Sequence, residues 1–193
     1  LGSSLLVYHG DPIKFFKHIN PRSVYANHDY EPYARQRDNE VQRILAKKEI
    51  AFKTYKDQVI FERDEILKSD DSPYTVYTPY SRKWKHTLSP THIENFNTEW
   101  LFSHFKKITP LAFPTLSELG FKASGVVFPE RTIKRLVIEQ YHLQRDFPAI
   151  DGTSRLSVHL RFGTVSIRKL VQIAMDINEK WLNELIWRDF YHM

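Results

Sequence analysis

The sequence contains no cysteine and only six glycines among 193 residues. Without cysteine, the chain cannot form a disulfide, a thiolate zinc site or a cysteine nucleophile. No glycine falls in a P-loop or G-x-G-x-x-G pattern, and none of the nine histidines falls in an H-E-x-x-H motif. No apolar run approaches membrane-spanning length. The sequence therefore predicts neither a metal site nor a membrane partner.

Charge of one sign is only weakly in excess. The chain has 28 Lys and Arg against 23 Asp and Glu, a net charge of +5 and a pI of about 9.3. This balance permits an acidic partner such as nucleic acid, but an ordinary solvated surface fits it equally well because the excess is not concentrated. With 41% hydrophobic residues, the chain is expected to bury a core.

The first third of the chain alternates short apolar runs with helical patterns. Asp11 and Pro12 supply an N-cap and a first-turn proline, and Pro32 opens a longer helix. The predicted order is strand 3–9, helix 12–19, strand 23–26, the helix from Pro32, and strands 52–55 and 59–61. Strands alternating with helices favour a parallel sheet with right-handed crossovers. We therefore predict part of a Rossmann-like α/β domain.

Prolines and aromatic residues replace these patterns between residues 69 and 128, which predicts a long connection packed over other structure. After Pro129 the spacing becomes helical, with Ser166 as a helix cap and a last helix from about Glu179. The chain starts at Leu1, and its last helical pattern reaches Met193 without a cap. We expect a fragment that is truncated at both ends.

The segment D-G-T-S-R-L-S at residues 151–157 is the first candidate site. A glycine permits a tight turn, and Thr153 or Ser154 can cap a helix that starts at Leu156. Helix N–H groups, hydroxyls and the Arg155 guanidinium could cradle a diphosphate. The alternative is a capping turn with Arg155 in solvent, and local chemistry alone favours this alternative.

The second candidate is the last helix, residues 181–191. One face is apolar, with Leu182, Leu185, Ile186 and Phe190. Another face combines large aromatic side chains with a carboxylate and a guanidinium: Trp181, Glu184, Trp187, Arg188 and Tyr191. On this face an indole could stack on a nucleobase and a carboxylate could accept hydrogen bonds from a base edge. The alternative is a pair of core tryptophans with an ordinary Glu184–Arg188 ion pair.

Taken together, three stretches resemble consecutive signatures of the photolyase/cryptochrome family: R-D-F-P-A-I-D-G-T-S-R-L-S at 145–157, H-L-R-F-G at 159–163, and residues 181–191. Residues 2–7, 25–32 and 77–80 are similar to its antenna domain and the connection after it. The chain looks most like a class I cyclobutane pyrimidine dimer photolyase. The resemblance implies a partial antenna domain (1–68), an interdomain connection (69–128) and the start of an all-α FAD-binding domain (129–193).

The resemblance also implies site residues. The positions that match FAD contacts are Tyr141, Thr153, Ser154, Arg155, Leu156, Ser157 and Trp181. The positions that match DNA contacts are Arg145, Glu184, Trp187, Arg188 and Tyr191. Among them, Glu184 and Trp187 match the catalytic carboxylate that holds the dimer and the ring against which the dimer packs. The implied partner is DNA that contains pyrimidine dimers. The implied location of the protein is the cytoplasm, in association with the nucleoid if the source is a bacterium.

The activity implied for the parent protein is that of a deoxyribodipyrimidine photo-lyase, a carbon–carbon lyase in which excited reduced FAD donates an electron to the dimer. The alternatives are a cryptochrome-like photosensor without repair activity and an α/β module that has lost the flavin site. Tyr33-Ala34 replaces the Asn-Glu pair of the family's folate site, so folate binding in that mode is not expected, and a second antenna chromophore stays unidentified. Because family members complete the FAD cavity with later helices, this chain alone is expected to be inactive.

Overall fold

The computed structural model describes residues 2–193. In chain order the elements are α1 (Pro12–His18), β1 (Ser23–Asn27), α2 (Pro32–Ala46), β2 (Ala51–Tyr55), α3 (Tyr77–Thr87), α4 (Arg135–Glu139), α5 (Tyr141–Gln144), α6 (Ser157–Arg161), α7 (Ile167–Ile177) and α8 (Glu179–Tyr191). Short 3-10 turns at Pro90–His92 and Glu99–His104 separate α3 from α4.

The chain forms two compact units. The first unit consists of Leu1–Ala26, Glu31–Lys53 and Phe96–Val127, and the second of Asn27–Tyr30, Thr54–Asn95 and Phe128–Met193. The connection predicted over residues 69–128 therefore contributes to both units. The domain boundaries given above stay a prediction.

In the first unit, α1 begins as predicted: the Asp11 carboxylate accepts a hydrogen bond from the Ile13 amide at 2.8 Å. Strands β1 and β2 are neighbours in a small parallel sheet, with α2 as the crossover between them. Helix α2 buries Ala34, Val41 and Leu45 on one face. The predicted α/β fold class is confirmed.

The strand predicted over residues 3–9 is wrong. This run forms no strand, and the Leu5 and Leu6 side chains are 71% and 70% exposed. Its neighbour in the structure is another irregular segment: the Ile108 amide donates to the Gly2 carbonyl at 3.3 Å, and the Leu111 amide donates to the Ser4 hydroxyl at 3.1 Å. An apolar run becomes a strand only when a second strand satisfies its backbone, and within residues 2–193 no strand lies beside it.

The strand predicted over residues 59–61 is also wrong. Val59, Ile60 and Phe61 are almost fully buried but form no strand. The Ile60 and Phe61 amides donate to one carboxylate oxygen of Asp189, at 3.1 and 3.3 Å. A side chain has replaced the neighbouring strand as their acceptor.

The helices of the second unit follow the predicted pattern after residue 129. The Ser166 hydroxyl accepts from the Lys169 amide at 3.4 Å and caps α7 as predicted. The last helix starts at Glu179 as predicted, and Asn178 caps it by accepting from the Lys180 and Trp181 amides. One apolar cluster joins these helices: Ile60, Phe61, Ile66, Tyr80, Trp84, Ile138, Leu156, Leu160, Ile167, Leu170, Val171, Ala174, Trp181, Leu182, Leu185 and Ile186.

Helix α3 lies inside the predicted connection and was not predicted. It buries Tyr80, Ser81 and Trp84, and Trp84 is completely inaccessible to solvent. Pro79 occupies the first turn, where a proline is tolerated because its amide has no helical partner. In the sequence this proline looked like one more break in an irregular segment, although the packing of the aromatic residues was anticipated.

Candidate functional site

The second unit contains a cavity of about 510 Å³. Its lining includes all seven positions predicted to contact FAD: Tyr141, Thr153, Ser154, Arg155, Leu156, Ser157 and Trp181. The lining also includes Glu184 and Arg188 from the predicted DNA set, together with Leu160, Arg161, Leu185 and His192. The structure thus brings together residues that lie up to 51 positions apart in the chain.

The loop at residues 151–156 packs tightly against α5. A Cβ atom added at Gly152 would lie 2.6 Å from the Gln144 Cβ and 3.0 Å from its backbone, so only glycine fits there. Arg155 has a φ of 51°, and its guanidinium pairs with the Asp151 carboxylate at 3.0 Å. The loop therefore has a defined shape before any ligand binds.

The predicted cap of α6 is wrong. The helix begins at Ser157 and its N-cap is Leu156, which makes no side-chain capping hydrogen bond. An N-cap side chain must immediately precede the first helical residue, and Thr153 and Ser154 lie too far upstream for this. Both line the cavity instead.

The cavity offers two kinds of surface. Its apolar wall includes Leu156 and Trp181, which are 2% and 3% exposed. Its polar lining residues include three with hydroxyls, Thr153, Ser154 and Ser157, and three arginines, Arg155, Arg161 and Arg188. Such a combination suits a ligand that carries both a flat apolar ring and an anionic group.

Glu184 forms an ion pair with Arg145, between its Oε1 and the guanidinium Nη1. Both side chains are about one-third exposed, and the Arg145 guanidinium lies 5.6 Å from the centre of the Tyr141 ring. The alternative Glu184–Arg188 pair is not formed. Arg188 donates instead to the Gln58 carbonyl and is largely buried, with 17% of its side chain exposed.

The two tryptophans of α8 have different surroundings. Trp181 is buried at the cavity wall, as a core residue would be. Trp187 is only half-buried, and its ring stacks on Tyr77 with centroids 3.7 Å apart and planes 5° from parallel. Tyr191, one turn further along, is 77% exposed and lies 5.5 Å from the Trp187 ring.

Asp189 is a buried residue that the sequence interpretation missed. Its Oδ2 accepts from the Ile60 and Phe61 amides and from the Trp84 indole N–H at 3.0 Å, while its Oδ1 has no hydrogen-bond partner. Burial raises the pKa of Asp189 to about 6, although these donors act in the opposite direction. A signal was present, because Asp189 falls at helical spacing on the apolar face that contains Leu185 and Ile186.

Within residues 2–193, no helix combines the length and the apolar character that a membrane span requires. The same residues contain no group of three His, Asp or Glu side chains placed to hold a metal ion. His159 is a core histidine, with one ring nitrogen 2.8 Å from the Thr164 hydroxyl and the other 2.8 Å from the Pro129 carbonyl.

Comparison with known proteins identifies the family. A family model described as DNA photolyase matches residues 1–98, which is more than half of the 193 residues. The chain belongs to the DNA photolyase family. As a photolyase-family chain, it is 34% identical to the deoxyribodipyrimidine photo-lyase of Synechococcus sp., covering 98% of this chain and 46% of that protein. It is 36% identical to that of Alkalihalophilus pseudofirmus, covering 89% of this chain and 39% of that protein.

Solved photolyase structures share the fold. A bacterial class III photolyase from Agrobacterium tumefaciens aligns with a TM-score of 0.66 and 20% identity, over 95% of this chain and 43% of that one. An archaeal photolyase from Sulfolobus tokodaii, solved with two FAD molecules, aligns with a TM-score of 0.57 and 22% identity, over 93% of this chain and 39% of that one. This chain therefore spans less than half the length of each of these four photolyases.

Proposed function

We propose that this chain is part of a flavoprotein that repairs DNA in light, in which excited reduced FAD donates an electron that splits cyclobutane pyrimidine dimers. The observation that carries the proposal is the single cavity that gathers Tyr141, the loop 153–157, Trp181 and Glu184. Deoxyribodipyrimidine photo-lyases among the relatives support the same activity.

FAD fits the chemistry of this cavity. Trp181 and the leucines of the lining would contact the ring system, and the hydroxyls of Thr153, Ser154 and Ser157 with the guanidinium of Arg155 would hold the diphosphate. The volume of about 510 Å³ lies within the usual range for cofactor sites. When bound and reduced, FAD supplies the electron that the reaction requires.

Glu184 and Trp187 would then contact the cyclobutane pyrimidine dimer. The Glu184 carboxylate lines the cavity and can accept hydrogen bonds from a base edge. Its partner Arg145 is exposed and can move to a phosphate of the DNA backbone. Trp187, with Arg188 and Tyr191 on the same helix, would provide the surface on which the flipped-out dimer packs.

The test is Glu184→Ala in the full-length, FAD-loaded protein. A hydrogen bond to a charged group is worth roughly 1.5–3 kcal/mol, so repair per absorbed photon should fall about tenfold or more. The FAD content should stay near that of the parent, because the predicted flavin contact of α8 is Trp181. Glu179→Ala is the matched control, since this exposed carboxylate lies in the first turn of the same helix and pairs with Lys85.

Equal repair yields in parent and Glu184→Ala would remove the role of Glu184. Flavin absorbance in the parent without any light-dependent loss of dimers would select the cryptochrome-like photosensor instead. Absence of flavin binding in the parent would select an α/β module without a flavin site.

We propose further that residues 1–193 alone neither hold FAD stoichiometrically nor repair dimers, because the relatives devote more than half of their length to other segments. Desalting this chain after incubation with excess FAD, and then recording its visible spectrum and its repair in blue light, tests this; one bound flavin per chain contradicts it.

By analogy with the two FAD molecules of the Sulfolobus tokodaii protein, a second, antenna chromophore is part of the proposal. We place the parent protein in the cytoplasm.

A further inference from the structure

Tyr77 is the nearest aromatic neighbour of Trp187, and neither the sequence interpretation nor the family resemblance assigned it to a site. The two rings are 3.7 Å apart between centroids and 5° from parallel, so one face of the indole is covered. Tyr77 lies at the first position of α3, more than 100 residues before Trp187 in the chain. The contact joins two helices of the second unit.

The Tyr77 ring is fixed at a second point. Its hydroxyl donates to the Asn183 carbonyl at 2.9 Å, one helical turn before Trp187 on α8. Phe190 meets the edges of both rings, 6.0 Å from Tyr77 and 5.6 Å from Trp187 between centroids. Stacking, the hydrogen bond and the edge contacts together leave the indole little freedom to rotate.

We propose that Tyr77 is a positioning residue that holds the Trp187 ring in place for stacking on the damaged bases and thereby increases selectivity for dimer-containing DNA. The inference rests on the proposed function. An aromatic side chain that is already ordered loses less rotational freedom when a base stacks on it. Removing the tyrosine ring should therefore weaken binding to the dimer, while binding to undamaged DNA, which does not use this stack, should remain unchanged.

The experiment uses the full-length, FAD-loaded protein and two oligonucleotides, one with a single thymine cyclobutane dimer and one undamaged. Selectivity is the dissociation constant for undamaged DNA divided by the dissociation constant for dimer-containing DNA. Tyr77→Phe keeps the ring and removes only the hydroxyl, so this ratio should change by no more than about twofold. Tyr77→Leu removes the ring, so the ratio should fall by about 3- to 10-fold. Tyr33→Leu is the control, because Tyr33 is 69% exposed on α2 in the first unit.

A purely structural role would have a different signature. Loss of general packing would lower FAD content and weaken binding to both oligonucleotides, whereas a positioning role changes only the dimer constant. Adding Tyr77→Leu to Trp187→Ala should cause no further loss, because the ring that Tyr77 holds is then absent. If the leucine variant does not load FAD, Tyr77→Met takes its place and fills a similar volume without a ring.

An unchanged ratio in the variant without a tyrosine ring overturns the inference, and so does a full additional loss in the Trp187→Ala background. If the parent itself shows no preference for dimer-containing DNA, the proposed function has failed first, and the role of Tyr77 fails with it. Preference in the parent together with its loss in Tyr77→Leu supports both.

Discussion

The two units of this chain differ in charge and in packing. The first unit contains twelve Lys and Arg against seven Asp and Glu, whereas the second contains sixteen of each, so the whole net charge of +5 belongs to the first. The large apolar cluster and the cavity both belong to the second unit. In the first unit, three residues of α2 are buried, while Leu5, Leu6, Phe113, Phe121, Val126 and Val127 are exposed.

This difference shows that net charge does not mark the candidate site. The site lies in the neutral unit, where Glu184 lines the cavity and forms an ion pair with Arg145. Attraction of DNA to this unit would depend on local groups rather than on a general positive field. The two units also differ in the interactions that stabilise each of them, so substitutions in each unit can test this difference.

The largest expected effect concerns the polar centre of the second unit. Asp189→Ala leaves the Trp84 indole N–H and the Ile60 and Phe61 amides without an acceptor in a buried place. Removing one partner of a buried polar network is strongly destabilising, so we expect a loss of about 3–5 kcal/mol in the free energy of unfolding. Thermal unfolding of the purified protein measures it.

Asp176→Ala is the control for this variant, because Asp176 is exposed on α7. Asp189→Asn keeps an oxygen acceptor for the three donors and should stay close to the parent at about pH 4, where the Asp189 carboxyl is protonated. A midpoint for Asp189→Ala equal to that of the Asp176 control would show that the three donors find other partners.

Asp189 also shows where sequence reasoning stopped. The helix that carries it, its first residue and its apolar face could all be predicted, because helical spacing and an N-cap are local properties. The acceptors of Ile60 and Phe61 could not, since their partner lies about 130 positions away in the chain and only tertiary packing brings it there. Residues 59–61 were predicted as a strand, but a short buried apolar run need not form one.

The second effect is a pH dependence carried by the same carboxyl. The pKa of Asp189 is about 6 in the folded chain, above its ordinary value, so the folded state binds this proton more tightly than the unfolded state. Its contribution to stability is therefore complete below about pH 4 and is lost as the pH rises to about 6. At roughly 1.4 kcal/mol per pKa unit, the loss is about 2–3 kcal/mol.

The measurement is the unfolding midpoint of the parent minus that of Asp189→Asn between pH 4 and 7. The asparagine side chain does not titrate in this range, so the difference isolates the carboxyl. A constant difference across this range would mean that Asp189 keeps an ordinary pKa.

The third effect tests the loop of the candidate site. Gly152→Ala places a Cβ 2.6 Å from that of Gln144, and overpacking of this kind costs typically 1–3 kcal/mol. We expect a lower unfolding midpoint and, in the full-length protein, weaker FAD retention because the loop 153–157 moves. Asp151→Ala, which removes only the exposed pair with Arg155, should leave the midpoint nearly unchanged, and equal midpoints for the two variants would argue against a tight loop.

The candidate site was less predictable from local sequence patterns than the fold was. By local chemistry alone, a capping turn and a core tryptophan pair were the favoured readings, and the residues came together only through the family resemblance. Neither local chemistry nor the family resemblance assigned Tyr77 to the site, because an aromatic residue two positions before a proline gives no local sign of a stacking partner on another helix. Spacing within one helix is encoded locally, whereas the packing of α3 on α8 is not.

The smallest expected effect concerns the first unit, where hydrogen bonds from one lysine provide part of the stability that a larger apolar core would provide. The Lys48 ammonium donates to the Phe16, Lys17 and Ile19 carbonyls at 3.1, 2.6 and 2.9 Å and to the Asn20 side-chain oxygen at 3.1 Å, and so closes the end of α1. A cation that satisfies the last carbonyls of a helix stabilises that helix end.

Lys48→Met should therefore lower the stability of the α1 end by about 1–2 kcal/mol. This is less than the full value of hydrogen bonds from a charged group, because Lys48 is partly exposed. Hydrogen exchange resolves this locally: amides of α1 and α2 should exchange faster, while those of α7 and α8 in the second unit should keep their rates. Lys47→Met, an exposed neighbour, is the control and should change neither set. Faster exchange in α7 and α8 as well would show that the two units unfold together, and the contrast between them would then describe composition but not stability.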